Sequence, residues 1–286
     1  MLKPILLISI TVFLSTVHSA KAQTPSRNLM PDGSHDMYIG LGVIHRPKYE
    51  GAQTSKTTAL PALQIQWSNG IFVAGMSAGM QLSESPQIEY GPLLTIAPGR
   101  TDSGIANSVD IVNGQNGYAS INTPQFEKKA NKLTGLDVLQ TRLLVGGFLH
   151  KQLTENVQST NILTYGSGNQ HNGLKLVSDL RYQIKNLAQH HTITLGSGIT
   201  LVNQAYNQTY FGISQQESDR TGRNSYIASG GMKDIHADIN WNWSFSASYL
   251  LTSKINFTYL TGSASKSPLV ERRSNVSIST ALAYRF

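Results

Sequence analysis

The chain contains no cysteine. It therefore has no disulfide, no thiol nucleophile and no thiolate-bound metal, and an exported form must draw its stability from strand pairing and packing. Charge is also scarce. Asp, Glu, Lys and Arg make up 14% of the 286 residues, against about 25% in soluble domains. After Ile5–Val17 no long apolar run occurs, so no later segment offers the roughly 20 residues of a membrane-spanning helix. Dense Lys/Arg clusters are missing too, although the formal net charge is +7. That argues against a nucleic-acid partner. Lipopolysaccharide phosphates or murein carboxylates are the more fitting counter-charges.

What is present is alternation. The last segment, Asn275–Phe286, reads NVSISTALAYRF. Val276, Ile278, Thr280, Leu282, Tyr284 and Phe286 alternate with smaller or polar residues, the period of a strand with two unlike faces. An aromatic at the C-terminus with Tyr284 two residues before it resembles the insertion signal of bacterial outer-membrane barrels, carried by Leu282, Tyr284 and Phe286. At the other end Lys3, the apolar Ile5–Val17 and Ala20-Lys21-Ala22 form a secretory signal peptide over residues 1–22, too short in its apolar part to be an anchor. The expected mature chain is residues 23–286. The mean hydropathy of −0.20 over all 286 residues suits a barrel, because lipid-facing and lumen-facing residues average out along each strand.

Strand-like runs recur at Met37–His45, Thr58–Trp67, Ile71–Leu82, Ile88–Pro98, Val138–Gln152, Gln158–Tyr165, Leu174–Ile184, Thr192–Asn203, Met232–Trp243, Tyr249–Leu260 and Asn275–Phe286. In Ile235–Phe245, Ile235, Ala237, Ile239, Trp241, Trp243 and Phe245 share one face. His236, Asp238, Asn240 and Asn242 share the other and are candidate lumen residues. Trp241 and Trp243 close the apolar stripe where an indole sits at a membrane interface with its N–H wet. Leu174–Ile184 repeats the pattern, with Lys175, Asp179 and Arg181 on the polar face. Short turns alternate with long loops, as in outer-membrane barrels, whose turns are periplasmic and loops external. The expectation is an all-β transmembrane antiparallel barrel of about 12 strands, with 10 as the alternative. A long insertion is expected around 101–136, and Ser108–Ile121 is the expected position of the twelfth strand.

Catalytic and metal sets are thin. His236 and Asp238 lie two apart on one face, which can orient an imidazole beside a carboxylate. Ser248 or Ser277 would then have to be the nucleophile. A polar lumen lining explains the same residues more simply. His190 and His191 point apart in an extended chain and do not share a metal. No enzyme activity, cofactor or metal is expected. Lys175, Asp179 and Arg181 read either as a charge ladder filling the lumen or as a selectivity ring.

Several segments resemble one family. Gly40-Leu41-Gly42-Val43 with Pro47-Lys48-Tyr49-Glu50-Gly51 looks like the first strand and P-x-Y-x-G loop of the MipA/OmpV family. Tyr90-Gly91-Pro92-Leu93-Leu94 with Gly99-Arg100 resembles its GP…GR strand. Leu133-Thr134-Gly135-Leu136-Asp137 and Tyr210-Phe211-Gly212-Ile213-Ser214 are similar to its L-x-G-L-x and YFGV elements. Leu260–Ala264 through Ser267–Val270 looks like its final loop, with Ser263 where an acidic residue is usual. The resemblance implies an outer-membrane barrel and a non-enzymatic scaffold that joins a lytic transglycosylase to a murein synthase. The alternative is a narrow outer-membrane channel or an osmotic-stress-related porin-like protein. No oligomeric state follows from the sequence.

Overall fold

A computed structural model describes residues 35–83, 85, 87–102, 104–105, 132–166, 173–185 and 188–286. The signal-peptide segment and Ser108–Ile121 lie outside these. Strands β1 (His35–Pro47) and β2 (Ser55–Trp67) are followed by the short β3 (Ile71–Ala74) and β4 (Ser77–Met80), then β5 (Ile88–Ala97). A two-residue ribbon, β6 (Arg100–Thr101) and β7 (Gly104–Ile105), stands apart from the main sheet. Then come β8 (Arg142–Thr154), β9 (Val157–Gly166), β10 (Gly173–Lys185), β11 (His191–Val202), helices α1 (Gln204–Phe211) and α2 (Gln215–Thr221), β12 (Gly231–Ser244), β13 (Tyr249–Leu260) and β14 (Ser274–Arg285). Twelve of the strands form one closed antiparallel barrel. It shuts where β1 meets β14, in register from Tyr38↔Arg285 to His45↔Ile278. Closure removes every unpaired sheet edge, which hydrocarbon cannot satisfy.

The count of twelve stands, but the twelfth strand comes from a different place. The run Ile71–Leu82 is a hairpin rather than one strand. Its chain reverses at Gly75-Met76, with Gly75 at φ 56° and β3 and β4 paired from Ile71↔Met80 to Ala74↔Ser77. A positive φ at the first turn residue suits a tight hairpin and favours glycine. Small residues on both sides of the turn hide it from a periodicity argument. The split reverses the direction of β5, so β5 and β8 pair directly along Ile88↔Lys151 to Ala97↔Arg142. No place is left between them for a barrel strand from Ser108–Ile121.

The two barrel faces differ as lipid and lumen require. Outward residues are apolar: Leu41 is 72% exposed and Leu143 61%, and such positions recur around the wall. A continuous band of this kind is far larger than the apolar patches of a soluble monomer. The inner face is divided. On one wall Phe72, Leu93, Phe148 and Ile162 form an apolar cluster, with Phe72 edge-on to Phe148 at 5.7 Å between centroids. Gly79 makes room there, since a Cβ would sit 2.6 Å from Phe72 Cζ. The opposite wall, on β10, β12 and β13, is charged. Apart from the Gly75-Met76 turn, the short turns and both barrel termini lie toward one end and the long loops toward the other; in outer-membrane barrels such ends are the periplasmic and the external one.

The periplasmic rim carries a run of rings. Trp241 Nε1 donates to His191 Nδ1 at 2.9 Å, and the His191 ring stacks on both Trp241 and Trp243. From Trp243 the run continues through Phe245, Tyr249, Tyr284 and Phe286 at centroid spacings of 5.3, 5.7, 5.2 and 6.0 Å. Leu282, Tyr284 and Phe286 are all exposed on the outer face, and the Phe286 N–H donates to Met37 O at 3.1 Å across the closing seam.

Candidate functional site: a packed cap above a charged lumen wall

The external loops fold into a cap with a core of its own. Helix α1 starts at Asn203, whose side chain accepts from the N–H groups of Tyr206 and of Leu174, each at 3.0 Å. One cap residue thus starts the helix and ties it to β10. Helix α2 starts with a capping box, Ser214 and Glu217 exchanging hydrogen bonds, and stops at Gly222 in the left-handed region. The end of α1 and the link to α2 bury Phe211 and Ile213. The segment before β8 docks on α2: Arg220 bonds Asp137 at 2.7 Å and Gly135 O at 2.7 Å, and Arg223 Nη1 donates to Thr134 O at 3.0 Å.

Tyr49, Ala52, Leu133, Leu136, Ile213 and Leu269 pack as one buried cluster, with Phe211, Ala228, Leu260 and Ala264 as a second beside it. The β1–β2 loop is stitched to the last loop. Gly51 O accepts from the Glu271 and Arg272 N–H groups at 2.8 and 2.9 Å. Ser263, where an acidic residue is usual in the family it resembles, is held by Tyr226: the phenol donates to Ser263 O at 2.8 Å, and the two hydroxyls lie 3.0 Å apart. The position therefore serves packing within the cap. Scattered motif segments around Tyr49, Arg100, Leu133, Tyr210 and Leu269 all meet in this cap.

Below the cap runs a chain of charges. Lys233 is 2% exposed, and its Nζ reaches both Glu50 oxygens at 2.8 and 2.7 Å and Asp234 Oδ2 at 3.1 Å. Asp234 Oδ1 faces His236 Nδ1 at 2.8 Å and accepts from the Thr200 hydroxyl at 3.0 Å. His236 Nε2 faces Asp179 Oδ1 at 2.6 Å, and Asp179 lies 3.6 Å from Arg181. Asp238 turns the other way and pairs with Lys254 at 2.6 Å. The structure thus brings Asp179, Arg181 and His236 together and leaves Asp238 out of that group. Lys175 is buried, with its Nζ 6.0 Å from the centre of the Tyr206 ring. Asn240 and Asn242 are half-buried further down β12, and Asn242 accepts from the Thr252 hydroxyl.

Sequence reasoning missed Glu50, Arg100, Lys233, Asp234 and Lys254. Lys233 is hidden by a bulge. Thr200 pairs with Asp234 but Leu201 pairs with Met232, so Lys233 has no opposite residue on β11 and both it and Asp234 turn inward. The available signal was the break in alternation at Met232-Lys233-Asp234-Ile235. Glu50 lies in a loop and Arg100 in a two-residue strand, both too short of period to assign a face.

The family model described as MltA-interacting protein MipA matches residues 39–286, nearly the whole barrel and cap. The chain belongs to the MipA family. Two curated relatives, each named MltA-interacting protein, are similar to it: one from Escherichia coli strain K12 and one from Shigella flexneri, each 25% identical over 95 residues. Each match covers 33% of this chain and 38% of the relative. Solved structures similar to this MipA-family chain include Pseudomonas putida OprB, 11% identical, covering 80% of this chain and 59% of that one, with a TM-score of 0.38. The translocator domain of autotransporter NalP from Neisseria meningitidis is 9% identical, covering 90% and 91%, also at 0.38.

Proposed function

We propose that this MipA-family barrel is a non-enzymatic scaffold of the cell envelope that holds a lytic transglycosylase, with a murein synthase beside it, at its periplasmic end. The observation that supports a scaffold over a catalyst is the state of His236. Both ring nitrogens are engaged by carboxylates, Asp234 and Asp179, so neither is available to take a proton from a serine. Ser248 lies in a periplasmic turn and Ser277 faces inward on β14, and neither is hydrogen-bonded to His236. The name of the curated relatives points to an enzyme of murein turnover as the partner. Murein lies on the periplasmic side, so the contacts belong to the short turns around Asn156, His190 and Ser246 rather than to the cap.

Purified protein in detergent is expected to retain a lytic transglycosylase from envelope extract. Short Gly-Ser insertions at Asn156 or Ser246 should abolish capture, whereas changes in the cap should not. Failure to retain any murein enzyme, together with discrete conductance in planar bilayers, would favour the channel reading instead.

Export through a cleaved signal peptide over residues 1–22 and assembly through Leu282, Tyr284 and Phe286 belong to the same proposal. Deleting Phe286 removes the last seam hydrogen bond and the end of the aromatic run. The deletion variant should leave most of the chain in the periplasm, seen as loss of the heat-modifiable band from outer-membrane fractions. A normal yield of inserted barrel would contradict this role.

A further inference from the structure

A cavity lies under the cap, between α1 and the inner wall. Its floor is apolar, built from Ala97 and Leu144 at the external ends of β5 and β8. Its roof is aromatic, from Tyr206, Tyr210 and Phe211 of α1. Most of the remaining lining is charged or phenolic: Tyr49, Glu50, Arg100 and Lys175.

Glu50 gives both oxygens to Lys233. Arg100 is 8% exposed, and its side chain makes one hydrogen bond, from Nη1 to Tyr210 O at 2.7 Å. A guanidinium has five N–H donors in a fork that matches a carboxylate. Among the described residues no carboxylate comes within ion-pair distance of it. Burial lowers the pKa of Arg100, with Tyr210, Glu217 and Tyr49 acting in the opposite direction, as expected of a cation short of a counter-charge.

Tyr49 adds a second orphan. Its hydroxyl is buried and has no hydrogen-bond partner among the described residues. Burial raises the phenol's pKa and nearby Glu271, outside hydrogen-bond geometry, raises it further, so the group stays an O–H donor at neutral pH. Buried polar groups without partners are uncommon and call for an explanation.

We propose that this cavity binds a small monocarboxylate with an aromatic or branched aliphatic body. The carboxylate lies on the Arg100 guanidinium within reach of Tyr49, and the body lies between the α1 aromatics and the Ala97–Leu144 floor. A phosphate dianion fits less well, because it needs more donors than this mostly apolar lining supplies. The site is at the external end of the barrel and is independent of any periplasmic partner.

The test is calorimetric titration of the purified full-length barrel with 4-phenylbutyrate, its uncharged amide and inorganic phosphate. The acid should bind at least about tenfold more tightly than the amide, the effect of leaving a charged group unpaired. Arg100→Gln should weaken acid binding by a similar factor. Arg181→Gln, in the lumen below, should leave it unchanged. Because Arg100 also holds Tyr210, a second variant is needed: Leu144→Trp fills the floor without touching the guanidinium and should abolish binding in a barrel that still shows its heat-modifiable band. Equal binding of acid and amide, phosphate binding in preference to the acid, no binding to the wild-type barrel, or binding that survives Leu144→Trp would each overturn the proposal.

Discussion

Lys233→Met is expected to release the cap from the barrel wall, destabilising its docking by about 3–5 kcal/mol, the effect of breaking one side of a buried ion pair. Lys233 is on the wall strand β12, and Glu50 is in the β1–β2 loop that contributes Tyr49 to the cap core. The Lys233 ammonium also lies 5.8 Å from the centre of the Tyr206 ring, so one side chain contacts two parts of the cap. Removing it takes from Glu50 the ammonium that bonds both carboxylate oxygens, in a site where solvent reaches little of that carboxylate. Faster hydrogen exchange and proteolysis across 203–230 and 261–273 should follow, while the twelve-stranded wall keeps its heat-modifiable migration. Adding Glu50→Gln should recover much of the loss, because the stranded charge is then gone. Unchanged protection of both loops in the single variant would show that the apolar clusters alone hold the cap.

Ile239→Arg should destabilise the barrel by about 2–4 kcal/mol, the penalty for a cation near the bilayer midplane. Ile239 is on β12 opposite Leu195 of β11 and Ile255 of β13, in the outward-facing row that runs from Ile235 to the Trp241–Trp243 end. A guanidinium there is surrounded by lipid and aliphatic neighbours. Asn240→Arg moves the same charge one residue along and turns it inward, where Asn240 Oδ1 lacks a hydrogen-bond partner among the described residues and polar groups and water can receive it. The second substitution should have a much smaller effect. Urea unfolding in lipid vesicles compares them directly, and equal losses would contradict the assigned faces.

These two experiments probe different layers of one molecule. The wall is a generic solution to life in a bilayer: closed hydrogen bonding, an apolar exterior and an aromatic rim. The cap adds two helices, two apolar clusters and a buried cation pair to the wall. Function resides in sites rather than in the fold. The periplasmic turns are therefore the place to look for an envelope partner, and the cavity under the cap is the place to look for a small anion.

Alternation made the wall legible from the residues alone. A side chain's face in a strand depends on its neighbours two positions away, so Ile235 to Phe245 and Leu174 to Ile184 declare their outer sides without knowledge of any partner strand. The Asn69-Gly70 turn is equally local, with Gly70 N–H bonded to Trp67 O at 3.0 Å. Three features were not local, and only the tertiary structure decided them. The reversal at Gly75 is set by which strands β3 and β4 must join, and it fixes the direction of every strand up to the insertion. The inward turn of Lys233 comes from a bulge, which exists only when two strands are laid in register. The pair it forms with Glu50 spans 183 residues of sequence, and the cavity beside it is assembled from the β1–β2 loop, β5, β8, β10 and α1. No period along the chain encodes such a meeting. It follows from barrel closure, which carries the loop after β1 to the side of a strand that begins at Gly231.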